Sequence, residues 1–216
     1  MPIISQFNYL KEIYKLEAQS IEVSVSGLAK ILNVTQPSVS QQLRALSNKN
    51  LVRWIPRGAI RLTPKGERWA IDLIRKHRII ESFLVKFLNY NPLQAHIEAE
   101  ELEHLASDQF ILGLHKLCGN PTYDPHGDPI PSKDGKFPTQ NDLLPLHQLR
   151  AGECAEIAAL SEQSHKTLQS VMDKKLSIGS TIQKGKNSNQ FLVNGKSLSL
   201  NAEQVSAVYL KGNSNE

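Results

Sequence analysis

The sequence predicts a mainly α-helical chain whose last third turns to short β-strands. Three observations carry that reading. Apolar residues recur at helical spacing through most of the first 117 residues. Residues 119–142 are then broken by Asn120-Pro121, Asp124-Pro125, Asp128-Pro129 and Pro131, an irregular connection. Beyond it, short β-like runs are separated by Gly179, Gly185 and Asn194-Gly195. The expected units are residues 1–70, 71–142 and 143–216.

Residues 5–18 read as a helix with Phe7, Leu10, Ile13, Tyr14 and Leu16 near one face. Ser24 to Leu32 reads as a second. After the polar break Asn33-Val34-Thr35, helical period resumes from Gln36 to Ser47. Thr35 is suited to cap that helix, and Pro37 fits its first turn, where no amide hydrogen is needed. Val39, Leu43 and Leu46 face inward, which leaves Ser38, Ser40, Gln41 and Arg44 outside. Strands at Leu51–Ile55 and Ile60–Thr63 flank the turn Pro56-Arg57-Gly58-Ala59. Thr63-Pro64-Lys65-Gly66 opens a long helix reaching about Leu88. Asn89 to Pro92 breaks it, and helices follow over Leu93–Ala106 and Asp108–Leu117. Strands at Glu153–Ala159, Thr181–Gln183, Gln190–Val193, Ser197–Leu200 and Val205–Tyr209 predict a small β-barrel.

Of the 216 residues, 40% are hydrophobic, enough for ordinary cores and too many for global disorder. No apolar run is long enough to span a membrane and no secretory signal is visible, so a cytoplasmic protein is expected. Cys118 and Cys154 lie far apart, which excludes a zinc-finger pattern and a disulfide framework. The net charge of +4 is unevenly spread. Residues 1–75 hold 11 Lys/Arg against 5 Asp/Glu, whereas residues 91–134 hold 2 against 8. A basic first third points to an anionic partner such as DNA, and an acidic, histidine-bearing middle to bound cations. Ordinary surface variation is the competing explanation.

Helix, turn, helix, hairpin is the order of a winged helix-turn-helix, whose second helix can enter the major groove. Gln41 can bond base edges, Ser38 and Ser40 can reach bases or phosphates, and Arg44 can pair with phosphate. Pro37 can touch a thymine methyl. Thr35 and Gln36 complete the exposed start of that helix, and Arg57 at the wing tip is the expected minor-groove or phosphate contact. The alternative is a winged domain that serves protein contacts only.

The stretch from His96 to His104 carries the other signal. On one helix, His96, Glu100, Glu103 and His104 fall within one stripe, and the preceding helix offers His77 and Glu81 four residues apart. Two antiparallel helices with such faces could enclose one or two divalent cations, and oxygen-rich donors with a few imidazoles suit manganese or ferrous iron. A solvated acidic helix with incidental histidines is the alternative. His126 and His165, in expected loops, are assigned to the surface.

Several short segments, in this order and spacing, resemble the DtxR/MntR family of metal-dependent repressors. They are Tyr9-Leu10-Lys11-Glu12-Ile13-Tyr14, Thr35-Gln36-Pro37-Ser38-Val39-Ser40-Gln41, Leu62-Thr63-Pro64-Lys65-Gly66, Arg75-Lys76-His77-Arg78 with Glu81, Glu103-His104, and Asp124-Pro125-His126-Gly127-Asp128-Pro129-Ile130-Pro131. The tail resembles the FeoA-like domain of the longer members. The resemblance implies a homodimer formed through the helical middle unit. It implies a primary metal position using Glu100, Glu103 and His104 with Asn8 from the first helix, and a neighbouring one at His77, Glu81 and His96. Glu100 stands where iron-type members have cysteine, which favours manganese. Asn8 replaces the usual methionine or aspartate. Lys11 stands where short manganese-type members have an acid, so a binuclear site sharing that acid cannot form in the same way. The tail residues nearest to the family's returning ligands are Ser164 and Thr167, with Glu162 or His165 as substitutes.

The expected function is a DNA-binding repressor with manganese, or ferrous iron, as corepressor, acting on a palindromic operator that controls metal-uptake genes. No nucleophile–base pair or His-Glu-x-x-His motif is present, so an enzyme is not expected. A metal-independent winged-helix regulator that binds a small organic effector is the alternative.

Overall fold

The computed structural model describes residues 6–56, 58–138, 143–160, 165–185, 187 and 189–211, without the side chains of residues 165, 166 and 168. The first unit comprises α1 (Gln6–Ala18), α2 (Val25–Ile31), α3 (Gln36–Asn48) and a hairpin of β1 (Val52–Arg53) and β2 (Arg61–Leu62). Ser24 caps α2 by accepting from Gly27 N–H, and Thr35 caps α3 by accepting from Ser38 N–H. Leu10, Ile13, Leu28, Val39, Leu43 and Leu46 are fully buried at the centre of this unit. The hairpin pairs Val52 with Leu62 and Arg53 with Arg61, and is shorter than expected. Gly58 N–H closes a turn on the Ile55 carbonyl, which takes Ile55 out of the ladder.

The long helix α4 (Pro64–Leu88) starts directly on this hairpin. A Cβ on Gly66 would lie 1.9 Å from the Leu51 carbonyl oxygen, so only glycine allows the close approach. Next come α5 (Pro92–Leu102), opened by an Asn91/Gln94 capping box, and α6 (Asp108–Leu117), capped by Ser107. Ile79, Ile80, Leu84, Ala95, Ala99 and Ile111 form the core between the three helices. The expected continuation of α5 to Ala106 is corrected: Glu103 is its C-cap, and His104 lies in a turn.

The last unit holds β3 (Leu143–Pro145), β4 (Cys154–Leu160), α7 (His165–Asp173), β5 (Thr181–Lys184), β6 (Gln190–Val193), β7 (Lys196–Ser199), α8 (Ala202–Ser206) and β8 (Val208–Lys211). The strands form one antiparallel sheet in the order β3-β8-β4-β5-β6-β7. Phe191, Ile157, Ile182, Val208 and Leu210 fill its buried side. This is the small FeoA-like β unit expected, with two short helices added. The Asn201/Gln204 capping box starts α8, so the strand expected over Val205–Tyr209 begins only at Val208.

Candidate metal centre

His77 and Glu81 stand one turn apart on α4, and α5 brings His96 against them. His77 is 3% exposed, Glu81 0% and His96 7%. His77 Nε2 lies 3.0 Å from His96 Nδ1, and Glu81 Oε1 lies 2.9 Å from both nitrogens. Neighbouring donors around an octahedral ion with bonds of about 2.1 Å stand about 3.0 Å apart. The three atoms already hold that spacing. Glu81 Oε2 is buried with no hydrogen-bond partner. A buried carboxylate with an unused oxygen beside two imidazoles fits a divalent cation.

A third imidazole joins them, contrary to the surface assignment of His126. Its side chain is 1% exposed, and its Nε2 lies 3.5 Å from Glu81 Oε1. The loop that delivers it is built from its own sequence. Asp124 Oδ1 accepts from His126 N–H (2.8 Å) and Asp128 N–H (2.9 Å), which curls the backbone. Arg78 holds Asp124 from α4 at 3.5 Å. Leu160 N–H at the end of β4 donates to the His126 carbonyl. At Gly127, φ is +83°, and a Cβ would lie 2.3 Å from the Ala158 carbonyl oxygen. The C-terminal sheet thus presses the His126 loop onto α4. Helical period is silent about such a loop. The Asp124-to-Asp128 spacing, an Asp poised to bond two amides ahead of a glycine, is the signal that could have found it. The side chain of His165, and Glu162 and Ser164, lie outside the described residues; Thr167 is buried on α7.

The second expected constellation is assembled differently. Glu103, at the end of α5, turns inward: its Oε2 lies 2.6 Å from His77 Nδ1, and its Oε1 accepts from Lys11 Nζ at 2.8 Å. Lys11 Nζ also reaches Glu103 Oε2 at 3.2 Å and Glu100 Oε1 at 3.9 Å. Glu100 Oε1 stands 3.9 Å from His96 Nε2. His104 Nε2 lies 3.6 Å from Glu103 Oε1, and its ring packs on Phe7 with centroids 6.0 Å apart. Asn8 Oδ1 and both His104 ring nitrogens are buried without hydrogen-bond partners. Lys11 was legible only as a departure from the family pattern. It follows Phe7 and Asn8 by four and three residues, so the first helix turns it to the side that bears them.

The charges lean on one another. Burial pushes the Glu81 carboxyl up, but His77, His126 and His96 outweigh it and hold it well below the ordinary carboxylate range. Burial also opposes ionisation of Glu103, yet Lys11 and His77 bring it down to about 2. For His77, burial lowers the pKa and Lys11 adds to that, while Glu81 and Glu103 raise it further than both. Burial lowers the His104 pKa, which favours the neutral imidazole.

On the first unit, Thr35, Gln36, Pro37, Ser38, Gln41 and Arg44 are exposed and Ser40 half-exposed, so the outward face of α3 is free to meet a partner. Arg53 and Arg61 flank it, exposed on the wing; Arg57 lies outside the described residues. No helix among the described residues is long and apolar enough to cross a membrane.

Residues 5–60 match the model of the iron dependent repressor N-terminal DNA binding domain. Residues 63–132 match that of the iron dependent repressor metal binding and dimerisation domain. The iron-dependent repressor IdeR of Mycobacterium tuberculosis is 32% identical over 163 residues, which cover 73% of this chain and 71% of that protein. A manganese-dependent transcriptional repressor solved in complex with manganese superposes with a TM-score of 0.83 at 30% identity, covering 96% of this chain and 100% of the other. The manganese regulator SloR gives 0.80 at 28% identity, covering 95% and 97%. The winged first unit, the buried imidazole–carboxylate cluster and these matches together place the chain in the iron-dependent repressor family of metal-dependent transcriptional repressors.

Proposed function

We propose that the chain is a cytoplasmic, homodimeric DNA-binding repressor that takes manganese, or ferrous iron, as corepressor at His77, Glu81 and His96, with His126 as an adjoining donor. The observation that carries the reading is the buried triangle of two imidazole nitrogens and one carboxylate oxygen, 2.9–3.0 Å on each side. A bound divalent cation would supply positive charge beside the buried Glu81 carboxylate, whose Oε2 has no hydrogen-bond partner. The donors are nitrogen and oxygen without thiolate, a set that suits manganese and ferrous iron.

His77 and Glu81 belong to the helix that rises from the wing, and His96 to the helix beside it. Clasping one ion joins α4 to α5 within the middle unit, directly behind the wing. Leu102, Leu105, Phe110 and Leu117 expose apolar side chains on α5, α6 and the turn between them, a surface suited to self-association. A two-fold dimer would present two α3 helices to half-sites about 34–36 Å apart, hence a palindromic operator. Thr35, Gln36, Pro37, Ser38, Ser40, Gln41 and Arg44 would face the major groove, and Arg57 the backbone or minor groove. Control of metal-uptake genes follows from a repressor whose corepressor is the imported ion.

The test is fluorescence anisotropy on duplexes selected from a random pool by the manganese-loaded dimer. Affinity is expected to be about 5- to 150-fold higher with manganese than with chelator. Equal affinity in both conditions refutes the reading.

A further inference from the structure

The position formed by Asn8, Glu100, Glu103 and His104 already contains a positive charge, because Lys11 reaches into it from α1. Its ammonium binds both oxygens of Glu103, at 2.8 and 3.2 Å, and stands 3.9 Å from Glu100. Lys11 is 3% exposed, and its helix neighbours Leu10 and Ile13 are fully buried in the core of the DNA-binding unit. The ammonium is thus held almost wholly out of water, with the Glu103 carboxylate as its nearest partner.

We propose that Lys11 is the resident cation of this position, that Glu103 acts as an orienting group for His77 instead of a metal ligand, and that each subunit takes a single divalent ion. The inference rests on the reading of the His77–Glu81–His96 site given above. Three carboxylates line the two positions: Glu81, Glu100 and Glu103. One dication together with one ammonium neutralises them. Two dications beside the same ammonium would leave two positive charges uncompensated in a buried cluster, which is strongly unfavourable.

The role left to Glu103 follows from its geometry. An ionised carboxylate only accepts, so His77 Nδ1, at 2.6 Å, carries the hydrogen. In the neutral ring the lone pair is then on Nε2, the atom that faces Glu81 Oε1 and His96 Nδ1. A carboxylate behind a ligating imidazole fixes its tautomer and aim. Lys11 holds the other side of that carboxylate, so Lys11, Glu103 and His77 form one line from α1 to the ion. Asn8 Oδ1 and the His104 nitrogens remain as neutral donors there, but their carboxylate is already engaged.

The experiment counts manganese on the full-length dimer. Protein equilibrated with manganese(II) alone is desalted and analysed by elemental mass spectrometry, with electron paramagnetic resonance on the same samples. Wild type is expected to hold one manganese per subunit with the six-line signal of an isolated ion. Lys11→Glu, which replaces the ammonium with an acid, is expected to hold one more and to lose that signal through coupling between neighbouring ions. Should Lys11→Glu not fold, Lys11→Gln frees Glu103 with a side chain of similar reach and is also expected to raise the count. Two ions per wild-type subunit, or a count that neither variant changes, overturns the proposal. No ion in wild type but one in Lys11→Glu would instead refute the His77 site and keep Lys11 as the resident cation.

Discussion

Replacing Glu103 by glutamine, in protein stripped of metal, isolates the charge of one buried carboxylate. Glu103 is 1% exposed between the Lys11 ammonium and the His77 ring. Burial favours its neutral form, Lys11 and His77 favour the ionised one, and the balance takes its pKa from 4.5 to about 2. At about 1.4 kcal/mol per pH unit, that difference amounts to about 3 kcal/mol of folding free energy. The group is depressed on folding, so its contribution is complete above about pH 4.5 and is lost as pH falls towards about 2. Glutamine has nearly the shape of the neutral acid. The variant is expected to be about 3 kcal/mol less stable at pH 7, with the gap closing as the solution is acidified. His77 works in the opposite sense. Burial lowers its pKa, Glu81 and Glu103 overcome that, and the folded value stands above 6.5. Its contribution is present below about pH 6.5 and fades as pH rises through the folded value. The metal-free wild type should then be most stable between about pH 4.5 and 6.5. Urea titrations of both proteins in chelator, across that range and beyond, read the gap directly. A gap that is independent of pH, or absent at pH 7, would refute the assignment of Glu103 as an ionised partner of Lys11 and His77.

Two further outcomes are expected. Gly127→Ala forces a side chain to within 2.3 Å of the Ala158 carbonyl at a φ of +83°, so it should cost about 1–3 kcal/mol in urea unfolding and weaken manganese binding by displacing His126; unchanged stability and affinity would show that the loop and β4 are not pressed together. Arg44→Ala should weaken binding to all duplexes alike and flatten the dependence of log affinity on log salt by about 1 per protomer, measured by anisotropy between low and moderate salt; a loss confined to one base position would reassign Arg44 from phosphate to base contact.

Local signals recover the helices of the first unit in nearly full detail. Thr35 caps α3, Pro37 occupies its first turn, and Val39, Leu43 and Leu46 are fully buried, because each depends on neighbours within one or two helical turns. The same holds for Thr63 and α4. His77, Glu81 and His96 could be proposed from spacing, but whether two helix faces converge is a tertiary fact. The end of α5 was misjudged because helical period continues through Glu103 and His104, while the structure turns Glu103 inward to Lys11 and His77. His126 was misplaced for a related reason. A loop has no period, and its burial depends on an amide of Leu160, far along the chain. In the C-terminal unit, α7 falls in a stretch to which no element is assigned from sequence, and the end of α8 passes for the start of the strand expected over Val205–Tyr209, although the Asn201/Gln204 box marks where that helix begins.

The tie between α1 and the middle unit bears on where the response to metal is felt. The contacts that hold α1 there include Lys11 on Glu103, and the Phe7 ring stacked on Trp69 of α4 with centroids 5.1 Å apart and planes 1° from parallel. Neither contact contains a metal donor of the His77–Glu81–His96 triangle, so on the proposal above both persist when the ion leaves. What loses its clasp is the pairing of α4 with α5, where Glu81 and His96 face each other. Without an ion, the Glu81 carboxylate has only the surrounding imidazoles beside it and keeps a buried oxygen with no hydrogen-bond partner. An unsatisfied buried carboxylate oxygen costs more than a lost surface contact, so the α4–α5 seam is the strained part of the metal-free protein. The helix α5 that forms this seam also carries Leu102, and the turn after it carries Leu105, on the exposed apolar surface. On the reading proposed above, the ion would act first on α5, the helix that abuts the surface proposed for self-association, and the reading heads would be reset through the pairing of the two subunits while each α1 stays anchored to its own middle unit.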